Sequence, residues 1–235
     1  MKRLITLSIG LAALTGCEPT QAVLYNEDYA LAFAGEGCVV AEGPTASIAD
    51  GFTLEAWIRV AEAPDRMGIL RLGGSALLWM DDGRVGLGRT DQPDQTGWIA
   101  EAQLADGRPH HLAVSWSLSH QGAFYVDGLQ IGAGDGWLAG ESLGQVHLGC
   151  NGPGADPFVG VLDEVRVSDQ PRFGGDFHPS KVPYSVDSAT LALWHMDGGV
   201  GDFILDSADQ FPGTAHGVAW TTGLTRDSEA PEGAP

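Results

Sequence analysis

Asp163 is the carboxylate whose setting says most about chemistry, because it lies within the apolar run FVGVLDEVRV. Alternation along a β-strand predicts that Glu164 and Arg166 lie on the opposite face from it, solvated or paired. It also predicts that Asp163 shares its own face with four valines: Val159, Val161, Val165 and Val167. Because burying an unpaired carboxylate costs several kcal/mol, the group must be hydrogen-bonded, paired or metal-bound. Backbone N–H groups of a neighbouring loop are the favoured partners, and a metal ion is the alternative.

Four further carboxylates lie within one glycine-rich region of the chain: Asp197, Asp202, Asp206 and Asp209. Calcium prefers clustered oxygen ligands of this kind. The spacing matches no EF-hand loop, however, and a polar turn is the simpler interpretation.

The histidines lack the spacing of a zinc site. His110 and His111 are adjacent, so on a strand they point to opposite faces and do not easily share one ion. Others are scattered along the chain: His147, His178, His195 and His216. We interpret them as structural or surface residues. The sequence therefore predicts no metal and no other cofactor, with calcium as the alternative.

The beginning of the chain has the pattern of a lipoprotein signal peptide. Lys2 and Arg3 precede an apolar run over residues 4–14, which is too short to span a bilayer. The next residues, LTGC, resemble a bacterial lipobox that ends at Cys17. We expect lipidation of Cys17 and anchoring to the bacterial cell envelope, on the periplasmic or surface face of an outer membrane. The alternative is an ordinary signal peptide that is cleaved nearby.

Lipidation of Cys17 would leave two cysteines, Cys38 and Cys150. Exported proteins fold in oxidising compartments, so these two residues are expected to form a disulfide. It would close a loop of more than a hundred residues and stabilise the fold by about 4–5 kcal/mol in the chain-entropy model. Two buried thiols are the alternative.

The charge of the chain is strongly acidic, with 12 basic and 31 acidic residues and a net charge of −19. This balance argues against nucleic acid or an anionic lipid surface as a partner, and leaves the lipid anchor as the expected membrane contact. A solvated acidic surface is the favoured interpretation, and cation binding is the alternative.

Short alternating segments predict an all-β fold. In RPHHLAVSW, Leu112, Val114 and Trp116 share one face, and Asp127-Gly128 supplies a tight turn further along. GFTLEAWIRV alternates in the same way and places Trp57 on its polar face, where the side chain is either covered by a second layer or presented to sugar. Covering is favoured, because Trp is usually well buried. Regularly spaced strands without a convincing helix predict a two-sheet antiparallel sandwich.

Four segments in order resemble the laminin G-like (concanavalin A-like) jelly-roll family: GFTLEAWIRV, RPHHLAVSW, AFYVDGLQIG and FVGVLDEVRVSD. The resemblance covers about residues 29–221 and implies two antiparallel sheets face to face, with loops gathered at the rims. Ala34 and the pair Gly37-Cys38 depart from the family's acidic lead-in, which puts a calcium site in doubt.

The expected organisation is a signal peptide over residues 1–16, a tether over 17–28, the jelly-roll domain over 29–225, and a disordered acidic tail over 226–235. Whether the late segment 190–221 completes the sandwich or lies beside it stays open.

Glycoside hydrolases share this superfold, but no alternating carboxylate run such as Glu-x-Asp-x-x-Glu is present. Nucleophile-elbow, phosphate-loop and dinucleotide motifs are absent as well. We therefore predict a non-enzymatic binding module that recognises a glycan or a protein of the envelope or extracellular space. Trp98 and Trp137, on rim loops, are the predicted ligand contacts. The alternatives are a structural or assembly spacer and a carbohydrate-active enzyme with an unrecognised site.

Overall fold

This computed structural model describes residues 28–48, 51–63, 65–73, 76–89, 98–117, 121–135 and 142–224. The described residues form fourteen strands and no helix. The strands are β1 (Tyr29–Ser47), β2 (Gly51–Arg59), β3 (Met67–Leu72), β4 (Ala76–Asp81), β5 (Arg84–Arg89), β6 (Trp98–Glu101), β7 (Pro109–Ser117), β8 (Gln121–Val126), β9 (Leu129–Asp135), β10 (Ser142–Leu148), β11 (Val159–Ser168), β12 (Thr190–Trp194), β13 (Phe203–Ile204) and β14 (Gly213–Thr222). Over these ranges, nothing forms a helix of the length and apolarity that a membrane crossing requires.

The strands pair antiparallel in the order β6-β5-β4-β3-β10-β1-β11-β2-β7-β8-β9. We call β11, β2, β7, β8 and β9 the front layer, and β10, β3, β4, β5 and β6 the back layer. Strand β1 belongs to both, because residues 31–34 pair with β11 and residues 39–47 pair with β10. The chain changes partner at Gly35, whose φ of 89° is a conformation that glycine adopts without strain.

The two layers enclose one apolar core. Alternate residues of the front layer enter it, including Leu54, Leu112, Val114, Trp116 and Phe124, and they meet Leu70, Leu78, Met80, Val85 and Leu87 from the back layer. At the far ends of the two layers, a Cβ on Gly132 of β9 would lie 2.7 Å from that of Ala100 of β6. The structure confirms the predicted all-β sandwich, with the layers in contact at both sides.

The late segment completes this sandwich. Strand β12 pairs with β11, and β14 pairs along the free edge of β1. Trp194 and Phe211 are fully buried in the shared core, where the indole Nε1 of Trp194 donates to the carbonyl of Phe211 at 2.8 Å. Residues 190–222 therefore contribute both strands and core side chains.

A β-bulge in β11 changes the predicted alternation. Asp163 pairs with Trp57 and Arg166 pairs with Glu55, so three residues of β11 span two of β2. Glu164 is the residue at positive φ, 48°. The expectation that Arg166 lies opposite Asp163 is wrong, because the extra residue brings both side chains to the outer face of the front layer. For the same reason Val165 and Val167 enter the core without Asp163.

Burial governs the chemistry of Asp163. The side chain is fully buried, and its Oδ2 accepts the backbone N–H of Leu224 at 2.7 Å, which confirms the predicted backbone partner. Its Oδ1 has no hydrogen-bond partner among the described residues. Burial first, and then the charges of Glu164, Asp28 and Asp197, raise the pKa of Asp163 to about 8. The group therefore holds its proton at neutral pH.

The predicted disulfide joins Cys38 and Cys150, with 5.5 Å between their Cα atoms. It ties β1 to the turn after β10, and both cysteines are buried. The bond spans 112 residues of sequence.

Replacing both Cys38 and Cys150 with Ser should lower the free energy of unfolding by about 4–5 kcal/mol, because the unfolded chain regains the entropy of a long loop. Urea titration of the double variant against the oxidised wild type measures the loss. Adding reductant should lower the free energy of unfolding of the wild type by the same amount and leave that of the variant unchanged. This result would assign the loss to the disulfide. Equal stability of the two proteins would contradict the assignment.

Replacing Asp163 with Asn should flatten the pH dependence of stability. Between about pH 4 and 8 the unfolded wild type releases this proton and the folded protein keeps it, so its stability falls by up to about 1.4 kcal/mol per pH unit as pH rises. The Asn side chain is neutral throughout, so the variant should exceed the wild type by about 2–5 kcal/mol at pH 8 and match it near pH 4. Thermal and urea unfolding across this range measure the difference. Parallel profiles would contradict the prediction. Asp65→Asn makes the same substitution on the exposed surface and serves as the control.

Candidate functional site

The outer face of the front layer is closed by the connection between β11 and β12, residues 169–189, which we call the cover segment. Thr53 of β2 fixes its start: the hydroxyl donates to the carbonyl of Gln170 at 2.9 Å and accepts the N–H of Arg172 at 2.8 Å. The guanidinium of Arg172 then forms a two-point contact with Asp187, at 2.7 and 2.8 Å. The segment is therefore anchored at both ends.

Aromatic rings fill the space beneath the cover segment. Phe173 and Phe177 stack with their ring centres 3.7 Å apart, and each ring meets His111 and Tyr125 edge-on. Trp57 is 8% exposed, so the prediction that a second layer covers it is confirmed. This face does not present Trp57 as a platform for sugar.

A buried ion pair lies under the same cover. Glu55 Oε1 accepts from Arg166 Nε at 2.8 Å, and Oε2 lies 3.2 Å from Nε2 of His111. Burial alone would raise the pKa of Glu55, but hydrogen bonds and charge from His111 and Arg166 hold it below its ordinary value. The guanidinium carbon of Arg166 lies 4.2 Å from the ring centre of Tyr184. Arg166 and Glu164 are therefore buried and paired, and neither is solvated.

The four aspartates that would form the alternative calcium site are not grouped as metal ligands. Asp206 is buried and accepts four backbone N–H groups at 2.7–2.9 Å, from Leu193, Ala208, Gln210 and Phe211. Its carboxylate organises the turn that brings Phe211 into the core. In the part of the chain that is described, no three His, Cys, Asp or Glu side chains are grouped as metal ligands.

A cleft of about 440 Å³ lies between the connection from β12 to β13 and the strand β14. We call it the late cleft. Its lining combines apolar and polar groups: His195, Met196, Asp197, Gly198, Val200, Phe203, Ile204, Leu205, Ser207 and Trp220. Mixed clefts of this size are typical of small-molecule sites.

Exposed apolar side chains form one wall of the late cleft. Val200, Phe203 and Leu205 are 79%, 59% and 61% exposed. Trp220 is half-buried, and its Nε1 donates to the carbonyl of Gly201 at 2.9 Å, which holds the loop against β14. The sequence FILD carries a signal for this wall, because buried Ile204 and Asp206 alternate with Phe203 and Leu205, which must then face outward.

His195 and Asp197 provide polar groups in the late cleft. The Nδ1 of His195 lies 2.6 Å from Glu164 Oε1, and Asp197 Oδ1 accepts the N–H of Tyr29 at 3.1 Å. Burial alone would lower the pKa of His195, but its bond to Glu164 and the charges of Glu164 and Asp197 raise it above the ordinary value. Burial, followed by the charges of Glu164 and Asp28, raises the pKa of Asp197.

A second groove, of about 640 Å³, lies where β7, β8 and β9 meet the cover segment. Ser115, Tyr125 and Phe173 line it. Tyr125 is 1% exposed, and its hydroxyl donates to the carbonyl of Phe173 at 3.3 Å. The groove therefore offers hydroxyl and backbone groups, but its tyrosine ring is not presented to a ligand.

Three site residues predicted from the sequence are Cys17, Trp98 and Trp137. Cys17 and Trp137 lie outside the described residues, as does the side chain of Trp98. The main chain of Trp98 begins β6, where it pairs with Leu87. The assignment of Trp98 and Trp137 as ligand contacts therefore stays a prediction.

Solved structures support the fold. A candidate carbohydrate-binding protein from Bacteroides ovatus is 20% identical with a TM-score of 0.69, and the match covers 84% of this chain and 60% of that one. A heptameric SAP-like pentraxin from Limulus polyphemus is 18% identical with a TM-score of 0.50, and the match covers 63% of this chain and 78% of that one. This chain thus spans 60% of the Bacteroides protein's length. No significant match was found among curated protein sequences.

A family model also matches the chain directly, over residues 34–174, which is more than half of its length. The matched range begins in β1 and ends in the cover segment, and it contains the four segments whose order suggested the resemblance. The chain therefore belongs to the concanavalin A-like lectin/glucanase superfamily, in its laminin G-like branch.

Proposed function

We propose that this protein is a carbohydrate-binding module, held at the bacterial cell envelope by a lipid on Cys17. The observation that carries the binding proposal is the late cleft, where exposed Phe203 lies in one lining with Asp197 and His195. A sugar ring has an apolar C–H face and a polar rim of hydroxyl groups. An aromatic ring can pack on the first, and a carboxylate or imidazole can hydrogen-bond the second.

The covered outer face of the front layer supports the late cleft as the location of the binding site. The cover segment fills the outer face of the front layer with its own aromatic rings, so a ligand does not reach Trp57 or His111 there. The late cleft is open and keeps its apolar wall in solvent. Exposed apolar groups gathered at one place mark binding surfaces more often than scattered ones do.

The buried acids support binding over hydrolysis. Glycoside hydrolysis needs two carboxyl groups that converge on the substrate. Glu55 and Asp163 have clearly shifted pKa values, but their side chains are 2% and 0% exposed and are enclosed by protein. The Bacteroides protein of similar fold, described as a candidate carbohydrate-binding protein, agrees with a non-enzymatic role.

Binding to envelope and cell-wall glycans tests the proposal, measured with the soluble chain from residue 18 onward, with calcium and with chelator. Phe203→Ala should weaken the binding about tenfold, since it removes the apolar surface on which the sugar packs. Leu129→Ala removes a similarly exposed apolar side chain elsewhere and should leave the affinity unchanged.

If Trp98→Ala or Trp137→Ala loses binding while Phe203→Ala binds as the wild type does, the site lies at the loops predicted from the sequence. Absence of binding to every glycan, with and without calcium, would contradict the carbohydrate proposal.

A protein partner is the second candidate, and the same three exposed side chains favour it: Val200, Phe203 and Leu205. Such a partner would bury this apolar wall without needing the polar end of the cleft. Capture of one envelope protein by the wild type but not by Phe203→Ala, combined with no glycan binding, would favour this candidate.

The lipid anchor has its own test. Cys17→Ser removes the thiol that the lipobox pattern assigns to acylation, so the protein should move from the membrane fraction to the soluble fraction. Fractionation of cells that express each form measures the shift. Membrane retention of the variant would contradict the anchor.

A further inference from the structure

We propose that His195 is the ligand-contacting residue that sets the affinity of the late cleft: Glu164 fixes its ring so that the charged imidazolium donates a hydrogen bond from Nε2 to an oxygen of the glycan. The inference rests on the proposed carbohydrate function and names the contact through which pH regulates it. It follows from the way in which two neighbouring strands place a buried carboxylate at one nitrogen of the ring and the cleft at the other.

The register between β11 and β12 places Glu164 and His195 side by side. Val165 pairs with Trp194, so the residue before the first and the residue after the second are neighbours where this pairing ends. Glu164 is also the extra residue of the bulge in β11, at a φ of 48°. Bulges re-aim side chains, and this one directs the carboxylate to the imidazole of His195.

The Glu164 carboxylate holds one nitrogen of the ring. Its side chain is 1% exposed, Oε1 lies 2.6 Å from Nδ1 of His195, and Oε2 accepts the N–H of Tyr184 at 2.9 Å. An ionised carboxylate only accepts hydrogen bonds, so Nδ1 carries the proton of this contact whether the ring is neutral or charged. The proton that the ring gains or loses is therefore the one on Nε2.

Nε2 is the nitrogen that a ligand can reach. His195 lines the late cleft, and its side chain is 23% exposed. Among the described residues no group hydrogen-bonds Nε2, and the atom is not enclosed by protein. The charged ring presents an N–H there, and the neutral ring presents a lone pair. A hydrogen bond from the charged donor is roughly twice as strong as one between neutral groups.

Three carboxylates act on the charge of the ring: Glu164 of β11, Asp197 two residues after His195, and Asp206 further along the chain. Burial alone would lower the pKa of His195, but the hydrogen bond to Glu164 and these three charges raise it above its ordinary value. Neither Lys nor Arg is among the described residues that line the late cleft. The surroundings therefore extend the pH range over which the ring is charged.

A glycan fits both parts of this lining. Phe203 is 59% exposed and offers a surface for the C–H face of a sugar ring, while a hydroxyl oxygen at the rim of the sugar can accept from Nε2. A neutral glycan carries no charge of its own that titrates. A change in its affinity with pH therefore reports on groups of the protein.

Isothermal titration of the chain from residue 18 onward with neutral oligosaccharides tests the proposal between about pH 6 and 9. The probes are oligomers of glucose, galactose, mannose and N-acetylglucosamine. For an oligomer that binds, the affinity should be highest at the acid end and fall about tenfold as the ring loses its proton. Because binding favours the charged ring, the complex should take up protons near the midpoint, which titrations in two buffers of different ionisation enthalpy measure.

His195→Gln keeps a neutral donor and cannot take up the charge. Its affinity should be about tenfold below that of the wild type at the acid end and constant over the whole range. Glu164→Gln removes the charge behind the ring, so the fall in affinity should move to lower pH. Unfolding temperatures check both folds, and the His195→Gln result decides alone if Glu164→Gln does not fold.

Two controls separate His195 from other groups that titrate. Asp163 precedes Glu164 and has a pKa of about 8, but it is fully buried and does not line the cleft. Asp163→Asn should therefore keep the fall in affinity. His216→Gln makes the His195 substitution at an exposed position of β14 outside the cleft lining, and it should keep the fall as well.

An affinity that does not change with pH would overturn the His195 inference and leave the carbohydrate function standing. A fall of wild-type size in His195→Gln, or its loss in Asp163→Asn, would do the same. Absence of binding to every neutral probe and to the wider set of envelope glycans would overturn the carbohydrate function itself.

Discussion

The Glu55 carboxylate, held between Arg166 and His111, is the interaction on which the rest of this structure depends. A buried acid of this kind is stable only when its charge is matched, and removing one partner of such a pair costs about 3–5 kcal/mol. Tyr184 lies on the guanidinium of Arg166, and through its N–H it also contacts Glu164. The ion pair thereby fixes the cover segment, and the cover segment closes the front layer over Trp57 and His111.

Because the front layer is closed over Trp57 and His111, the proposed binding site lies at the edge of the sandwich. The family model ends at residue 174, whereas the lining of the late cleft runs from His195 to Trp220. The cleft is thus formed by strands that follow the part shared with the family. These strands are integral to the fold, because Trp194 and Phe211 lie in the common core. A binding surface can differ between relatives here without change to the shared sandwich.

Much of the fold was predictable from local alternation. The period of two identified the strands around Trp57 and Trp116, and cysteine counting identified the pair Cys38 and Cys150. The bulge was not predictable, because one extra residue at Glu164 reverses the faces that alternation assigns. The late cleft was not predictable for another reason: alternation in FILD indicates an outward-facing wall, but the other lining residues lie in the connection after β12 and in β14. These segments become neighbours through the pairing of β13 with β14 and of β14 with β1.

A crystal structure of the chain from residue 18 onward, in complex with an envelope oligosaccharide that it binds, tests the central claim most directly. The account predicts a sugar ring packed on Phe203 in the late cleft, with its hydroxyl groups within hydrogen-bonding distance of Asp197 or His195. A saccharide bound at the loops that carry Trp98 and Trp137, or in the groove beside Phe173, would contradict it.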